Sequence, residues 1–220
     1  MTIKDKTTEG IVLRSLEYKE RQRILTVFTE QFGLISVIVK GLSKKSHHLL
    51  ALTTPFSQSA FVLRRQRSEL FNFLDGTLLD EHLSLRGTFA HLQAAGRLGQ
   101  AILRSQLPEK AAPDLYALFV SYLKQIPHLT DPTSLLLSFQ LKLWKHEGHL
   151  ELSDECSSCQ ATPTHYLQEG ESVCSLHAKS HAQSFSAKEW TTLKELLHVR
   201  SFQKLQTIPA SPQLIEKIIM

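Results

Sequence analysis

The sequence predicts an α+β, multidomain chain: a small closed β-barrel at the amino end, a helical domain after it, and a metal-clipped finger inserted ahead of the last helices. Three observations carry this prediction. Short runs rich in Val, Ile and Phe, separated by turn signals, fill the first 80 residues. From His82 onward the apolar residues recur every three or four positions, the period of a helix. All three cysteines of the 220-residue chain lie between Cys156 and Cys174, and His177 completes a two-knuckle metal pattern with them.

The barrel strands are expected at 11–13, 24–28, 34–39, 60–63 and 70–74. Gln31-Phe32-Gly33 turns the second strand into the third, and Gly41 ends the third before a polar loop containing Lys44 and Lys45. Five short strands with no helix long enough to cover a sheet fit a barrel, because closure removes exposed edges. Its size suggests an OB-fold; an SH3-like barrel would leave a similar trace.

In the helical region Leu85, Phe89, Leu92, Gly96, Gly99 and Leu103 form one face of a helix ending near Pro108, with the two glycines allowing close approach. Leu115, Leu118, Phe119 and Tyr122 mark a second helix. Asp131-Pro132 opens a third, whose residues from Leu135 to Trp144 are apolar on nearly every side, as a buried spine requires, and Gly148 ends it. Ser186-Ala-Lys-Glu189 is a capping box for a helix bearing Trp190, Leu193, Leu196 and Leu197, and Ser211-Pro212 starts a last one.

Cys156-Ser-Ser-Cys159 and Cys174-Ser-Leu-His177 stand 14 residues apart, the arrangement by which one chain wraps a structural zinc ion. His165 and His181 are nearby alternatives for the imidazole, but the spacing favours His177. Between the knuckles, Glu169-Gly170 reads as the turn of a short hairpin, the build of a zinc ribbon. Four protein ligands leave no open position for a catalytic water, so the site reads as structural. His149-Leu-Glu151 ahead of Cys156 superficially resembles the motif pair of zinc deaminases, but the proline is missing and only four residues separate the parts. The chain thus divides into a barrel at 1–80, a helical domain at 81–150, a zinc finger at 151–182 and helices at 183–220 that pack back on the helical domain.

Composition sets further bounds. No secretory leader pattern opens the chain, the cysteines follow a metal pattern, and the uncharged run 46–63 contains two histidines, a proline and several hydroxyl residues, so a cytoplasmic protein without a membrane span is expected. The net charge of +4 is concentrated: positions 14–67 hold ten Lys and Arg against three Asp and Glu, while 81–220 are balanced. Such an excess points to a polyanion such as nucleic acid. The cations Arg14, Lys19, Arg21, Arg23, Lys40, Lys44, Lys45, Arg64, Arg65 and Arg67 fall at strand ends and loops, where an OB barrel tracks a strand by its phosphates. Phe56, Phe61, Phe71 and Phe73 are candidate base-stacking rings, although Phe71 and Phe73 share one strand face and fit the core better. No P-loop, nucleophile elbow, HExxH helix or dinucleotide fingerprint occurs, so a non-enzymatic protein without a nucleotide cofactor is expected.

Thr8-Glu-Gly-Ile-Val-Leu-Arg14, Leu25-Thr-Val-Phe-Thr-Glu-Gln-Phe-Gly33 and Val39-Lys-Gly41, followed by Leu141-Lys-Leu-Trp-Lys-His-Glu-Gly148 and the first knuckle, resemble the RecO family of bacterial recombination mediators. The resemblance runs from about residue 8 to the helix after the knuckles. Two departures stand out: His177 occupies a position where the family often has a fourth cysteine, and 211–220 is shorter than the family's usual final helix and basic tail. The resemblance implies an OB-fold protein, associated with the nucleoid, that binds single- and double-stranded DNA. It would anneal complementary strands coated with single-strand-binding protein and, with RecR, help load RecA in gap repair. The alternative from a different class is an OB-fold and zinc-ribbon module for structured RNA, or for a ribosomal or transcription partner.

Overall fold

The computed structural model describes residues 5–43, 45–65 and 69–219, and the chain falls into two compact units, Met1–Pro127 and His128–Met220. That division lies inside the stretch 81–150: its first two long helices group with the barrel and its third with the finger.

In the first unit, β1 (Lys6–Glu17), β2 (Gln22–Thr29), β3 (Gly33–Lys40), β4 (Gln58–Arg65) and β5 (Phe71–Asp80) close into a barrel in the order β1-β2-β3-β5-β4, with β4 returning to β1. All pairs are antiparallel except β3 with β5. This is the OB-like architecture expected. Alternation explains the closure: Leu25 and Val27 of β2 and Ile35, Val37 and Val39 of β3 point inward to meet Val12, Phe61, Leu63 and Phe71, while the residues between them face out. In β1 the register shifts between Val12 and Arg14, an irregularity that admits one extra residue and resets the alternation.

A six-residue helix, α1 (His47–Leu52), bridges β3 and β4, and Leu49 and Leu50 pack against the barrel core. It is too short to show a helical period in sequence. After β5 a 3₁₀ turn (Leu83–Arg86) precedes α2 (Phe89–Ser105), and α3 (Pro113–Gln125) follows with Pro113 in its first turn. Helix α3 covers part of the outer face of β2, where the Phe28 ring meets Tyr116 and Phe119 edge-on at 5.7 and 6.0 Å. The two glycines of α2 differ. A Cβ on Gly99 would press on Phe56 at 3.3 Å, so that glycine admits close packing, whereas Gly96 faces open space.

The second unit is built on α4 (Thr133–His146), whose Leu135, Leu136, Leu137, Phe139, Leu141 and Leu143 are buried. Asp131 accepts a hydrogen bond from the Thr133 N–H at its start. Around this spine pack α5 (Ala187–His198), α6 (Phe202–Thr207) and α7 (Pro212–Ile219). The capping box of α5 is formed, with Ser186 and Glu189 each bonding the other's backbone N–H. Between α4 and α5, β6 (Tyr166–Gln168), β7 (Glu171–Val173) and the two-residue β8 (Gln183–Ser184) make a small sheet in the order β7-β6-β8. The hairpin turn is left-handed at both Glu169 (φ 52) and Gly170 (φ 86), and a Cβ on Gly170 would collide with the His149 carbonyl at 2.0 Å, so only glycine fits there. Among the described residues no helix is long and apolar enough to cross a membrane.

Candidate metal centre and nucleic-acid interface

Each knuckle is a tight turn that folds the chain back over its first cysteine. In the first, the Gln160 N–H donates to the Cys156 carbonyl at 2.8 Å with Gln160 in a left-handed conformation (φ 58). In the second, the N–H groups of His177 and Ala178 both donate to the Cys174 carbonyl, at 3.1 and 3.0 Å. The finger hairpin holds the two turns together. Ser157 N–H donates to the Ser172 carbonyl, and the Ser172 hydroxyl bridges the Glu151 carbonyl and the Ser153 N–H. Because the ligands come from local turns, their spacing alone made them visible in sequence.

The ligand atoms of Cys156, Cys159, Cys174 and His177 all lie within 4.8 Å of one another and could hold a metal ion. Cys159 Sγ is 3.8 Å from Cys174 Sγ, and His177 Nδ1 is 3.6 Å from Cys156 Sγ and 3.3 Å from Cys174 Sγ. A tetrahedral ion about 2.3 Å from sulfur and about 2.0 Å from nitrogen requires edges of about 3.8 Å between sulfurs and about 3.5 Å between sulfur and nitrogen. The donor set therefore fits such an ion. The other two imidazoles are engaged elsewhere: His165 lies against the Trp190 ring at 6.3 Å, and His181 Nε2 is 3.7 Å from a Glu169 carboxylate oxygen.

The local electrostatics favour the thiolate at Cys156 and Cys174 but not at Cys159, where a backbone bond at Ala161 lowers the pKa and burial with the neighbouring Cys156 and Cys174 thiols outweighs it. Burial alone would raise the Cys156 thiol, but hydrogen bonding to the backbone at Cys174, Ser158 and Cys159 outweighs it and brings the pKa down to about 6. Cys174 is also lowered, chiefly by its bond to the His177 side chain. Backbone donors aimed at sulfur are how a knuckle steadies the negative charge it presents to a cation.

The cations of the barrel separate into two sets. The Tyr18 N–H donates to the Gln22 carbonyl at 3.0 Å, closing a turn between β1 and β2 that carries Lys19 and Arg21. β3 ends beside it: Gln22 pairs with Lys40, the Leu42 N–H donates to the Arg21 carbonyl at 3.0 Å, and Arg21 Nε donates to the Leu42 carbonyl at 3.2 Å. Lys19, Arg21, Arg23 and Lys40 thus share one end of the barrel with the turn carrying Lys45. A cleft of about 410 Å³ there is lined by Lys19, Arg21 and Arg23 together with Glu17 and Glu20. Arg23 is held, donating to Thr53 Oγ1 at 3.0 Å and lying 3.8 Å from Glu17. Arg14 is exposed on the outer face of β1.

Arg64 and Arg65 occupy the other end and are paired with carboxylates. Arg64 forms a two-pronged bridge to Asp5, at 2.7 and 3.0 Å, and its hydrogen bond holds the Asp5 carboxyl below the usual range. Arg65 bonds Glu109 and lies 5.4 Å from the Phe71 ring centroid. Lys44 and Arg67 lie outside the described residues.

The candidate stacking rings are packed inward. Phe61 and Phe71 are 0% and 1% exposed in the barrel interior, Phe73 packs edge-on against Phe61, and Phe56 is buried beside Gly99. The barrel outer face carries a different aromatic, Tyr18, which follows Arg14 and Leu16 at two-residue steps past the irregularity in β1. That alternation was the available signal.

A family model described as Recombination protein O N terminal matches residues 1–81, and one described as Recombination protein O C terminal matches residues 86–219. The DNA repair protein RecO of Chlamydia trachomatis serovar D is 31% identical over 209 residues, covering 94% of this chain and 86% of that protein. The DNA repair protein RecO of Chlamydia pneumoniae is 32% identical over 212 residues, covering 95% and 84%. That of Exiguobacterium sibiricum is 26% identical over 214 residues, covering 93% and 84%. With both family models matched in order along nearly its whole length and relatives above 30% identity across most of theirs, this chain belongs to the RecO family.

Proposed function

We propose that this protein is a DNA-binding recombination mediator that gathers single strands by their phosphates at the hairpin end of its barrel. It anneals complementary strands coated with single-strand-binding protein and, with RecR, helps load RecA in gap repair. The observation that carries the reading is the concentration of Lys19, Arg21, Arg23, Lys40 and Lys45 at one barrel end, in a chain whose relatives are named DNA repair proteins. Two strands repel through their phosphates, and a cationic surface that engages both lowers that repulsion without any covalent step. The same contacts would serve duplex DNA, because phosphates carry no sequence information. No catalytic residue is needed.

For the knuckles we assign one structural zinc ion, held by Cys156, Cys159, Cys174 and His177. Zinc suits a thiolate and imidazole donor set with tetrahedral edges, and would supply a cross-link in place of a large core.

The test is strand annealing. Two complementary oligonucleotides coated with the cognate single-strand-binding protein are mixed with the purified protein, without nucleotide, over a salt series. Annealing that accelerates and then fades as salt rises supports the mediator reading. No acceleration from a folded, zinc-loaded protein, together with preference for structured RNA, favours the RNA-binding alternative.

A further inference from the structure

We propose that Tyr18 is a base-stacking residue, and that it makes the β1–β2 turn the element that separates single strands from duplex. This inference rests on the DNA-binding reading above and names the part of the ligand that this end of the barrel recognises. After the register shift between Val12 and Arg14, the outward positions of β1 are Arg14 and Leu16, with Tyr18 next in the series. Across the strands they meet further outward residues: Arg14 faces Thr26, Leu16 faces Ile24, and Ile24 faces Ile38 of β3. Helix α3 meets this outer face at Phe28. Toward the turn, Leu16 is 62% and Tyr18 41% exposed, beside half-buried Thr26, Ile24 and Ile38.

The polar rim says what this strip fits. Lys19 Nζ lies 5.4 Å from the Tyr18 ring centroid, and Lys40 ends the adjoining strand. A strand whose bases lie on the apolar strip and whose phosphates meet the cations satisfies both halves of the surface. Duplex DNA satisfies only the second, since its base faces are stacked on one another. Glu17 and Glu20 share the turn, and Glu17 lies 3.8 Å from Arg23, so phosphate attraction is partly offset there and an uncharged contact matters more.

The backbone supplies an independent observation. Lys19 (φ 46) and Arg21 (φ 58) both occupy the left-handed region, where glycine or asparagine is the lower-energy choice. Long cationic side chains held in that conformation, either side of Glu20, project from the turn that displays Tyr18. Strain of this kind persists where side-chain placement matters.

The experiment compares the full-length protein with Tyr18→Ala and Tyr18→Phe, measuring affinity for a labelled oligothymidine and for a duplex of equal length across a salt series. Tyr18→Ala is expected to bind the single strand at least about fivefold more weakly, with duplex affinity within about twofold of wild type and the salt slope unchanged, because a ring releases no counterions. Tyr18→Phe restores single-strand binding. A strand carrying 5-iododeoxyuridine cross-links at Tyr18 on irradiation. The proposal is overturned if Tyr18→Ala binds the single strand as tightly as wild type, if it loses both ligands equally, or if the cross-link maps elsewhere. Wild type that binds neither ligand at low salt overturns the DNA reading and this inference together. Wild type that binds with a steep salt slope, beside an unaffected Tyr18→Ala, removes the stacking role alone.

Discussion

Inside the barrel, Val12, Leu25, Val27, Phe61, Leu63 and Phe71 are almost wholly buried, whereas the only apolar side chains the finger buries beside its own ligands, among the described residues, are Leu167 and Val173. Each fully buried aliphatic or aromatic side chain contributes about 1.5–3 kcal/mol, so a closed barrel can offset the entropy of ordering its strands. One leucine, one valine and two thiols offer the finger far less. The contrast is between a region that its own burial can stabilise and one with a small core beside four residues that could hold a metal ion.

The largest expected effect follows from that. If the proposed zinc is bound, chelation, or Cys174→Ser, should release it and unfold the finger, because binding of a structural zinc is worth about 10–16 kcal/mol and the finger's own core is small. Amide exchange would show protection lost at β6 and β7 while the barrel strands stay protected. A finger still protected after metal removal would break the comparison.

Phe61→Ala is the converse. Removing a fully buried ring should destabilise the barrel by about 3–5 kcal/mol, read as a lower urea midpoint, with metal content unchanged. Loss of metal together with barrel stability would mean that the two regions are not independent.

A smaller effect concerns pH. His82 joins the barrel to the helices that follow it, in a left-handed conformation, with Nδ1 3.0 Å from the Phe56 carbonyl and Nε2 3.5 Å from Asp80. Burial is the main cause lowering its pKa, with Lys124 and Arg86 adding to it, while Asp80 and the Phe56 carbonyl offset part. A folded-state value below the unfolded one means that the unfolded chain takes up the proton first. Barrel stability should therefore be lost as pH falls through the usual imidazole value of about 6.5 and below. Following the urea midpoint through barrel amide signals at several pH values, His82→Gln should flatten this dependence. An equally steep profile in that variant would assign the acid sensitivity elsewhere.

Local chemistry was legible in the sequence, and distant chemistry was not. The finger ligands come from two turns, so their spacing marks them directly. The strands expected at 11–13 and 70–74 extend to Lys6–Glu17 and Phe71–Asp80, because their flanks alternate polar and apolar residues whose partners are far away in the chain. Arg64 and Arg65 read as available cations because Asp5 and Glu109, which pair them, are 59 and 44 positions distant. Phenylalanines in apolar runs, such as Phe61 and Phe71, are the residues a barrel buries. Tyr18 stands at the polar end of a strand, where a ring is left for solvent or a ligand.

The most direct test of the account is the salt dependence of single-strand affinity in two variants of equal charge change: Lys40→Gln with Lys45→Gln at the hairpin end, and Arg64→Gln with Arg65→Gln at the other. Each phosphate contact contributes about 0.7 to the slope of log affinity against log salt for a single strand. The hairpin-end variant should bind more weakly with a slope smaller by about 1.4. The arginine variant, whose charges are already met by Asp5 and Glu109, should stay close to wild type. The reverse pattern, or equal losses from both, would contradict a footprint confined to the hairpin end of the barrel.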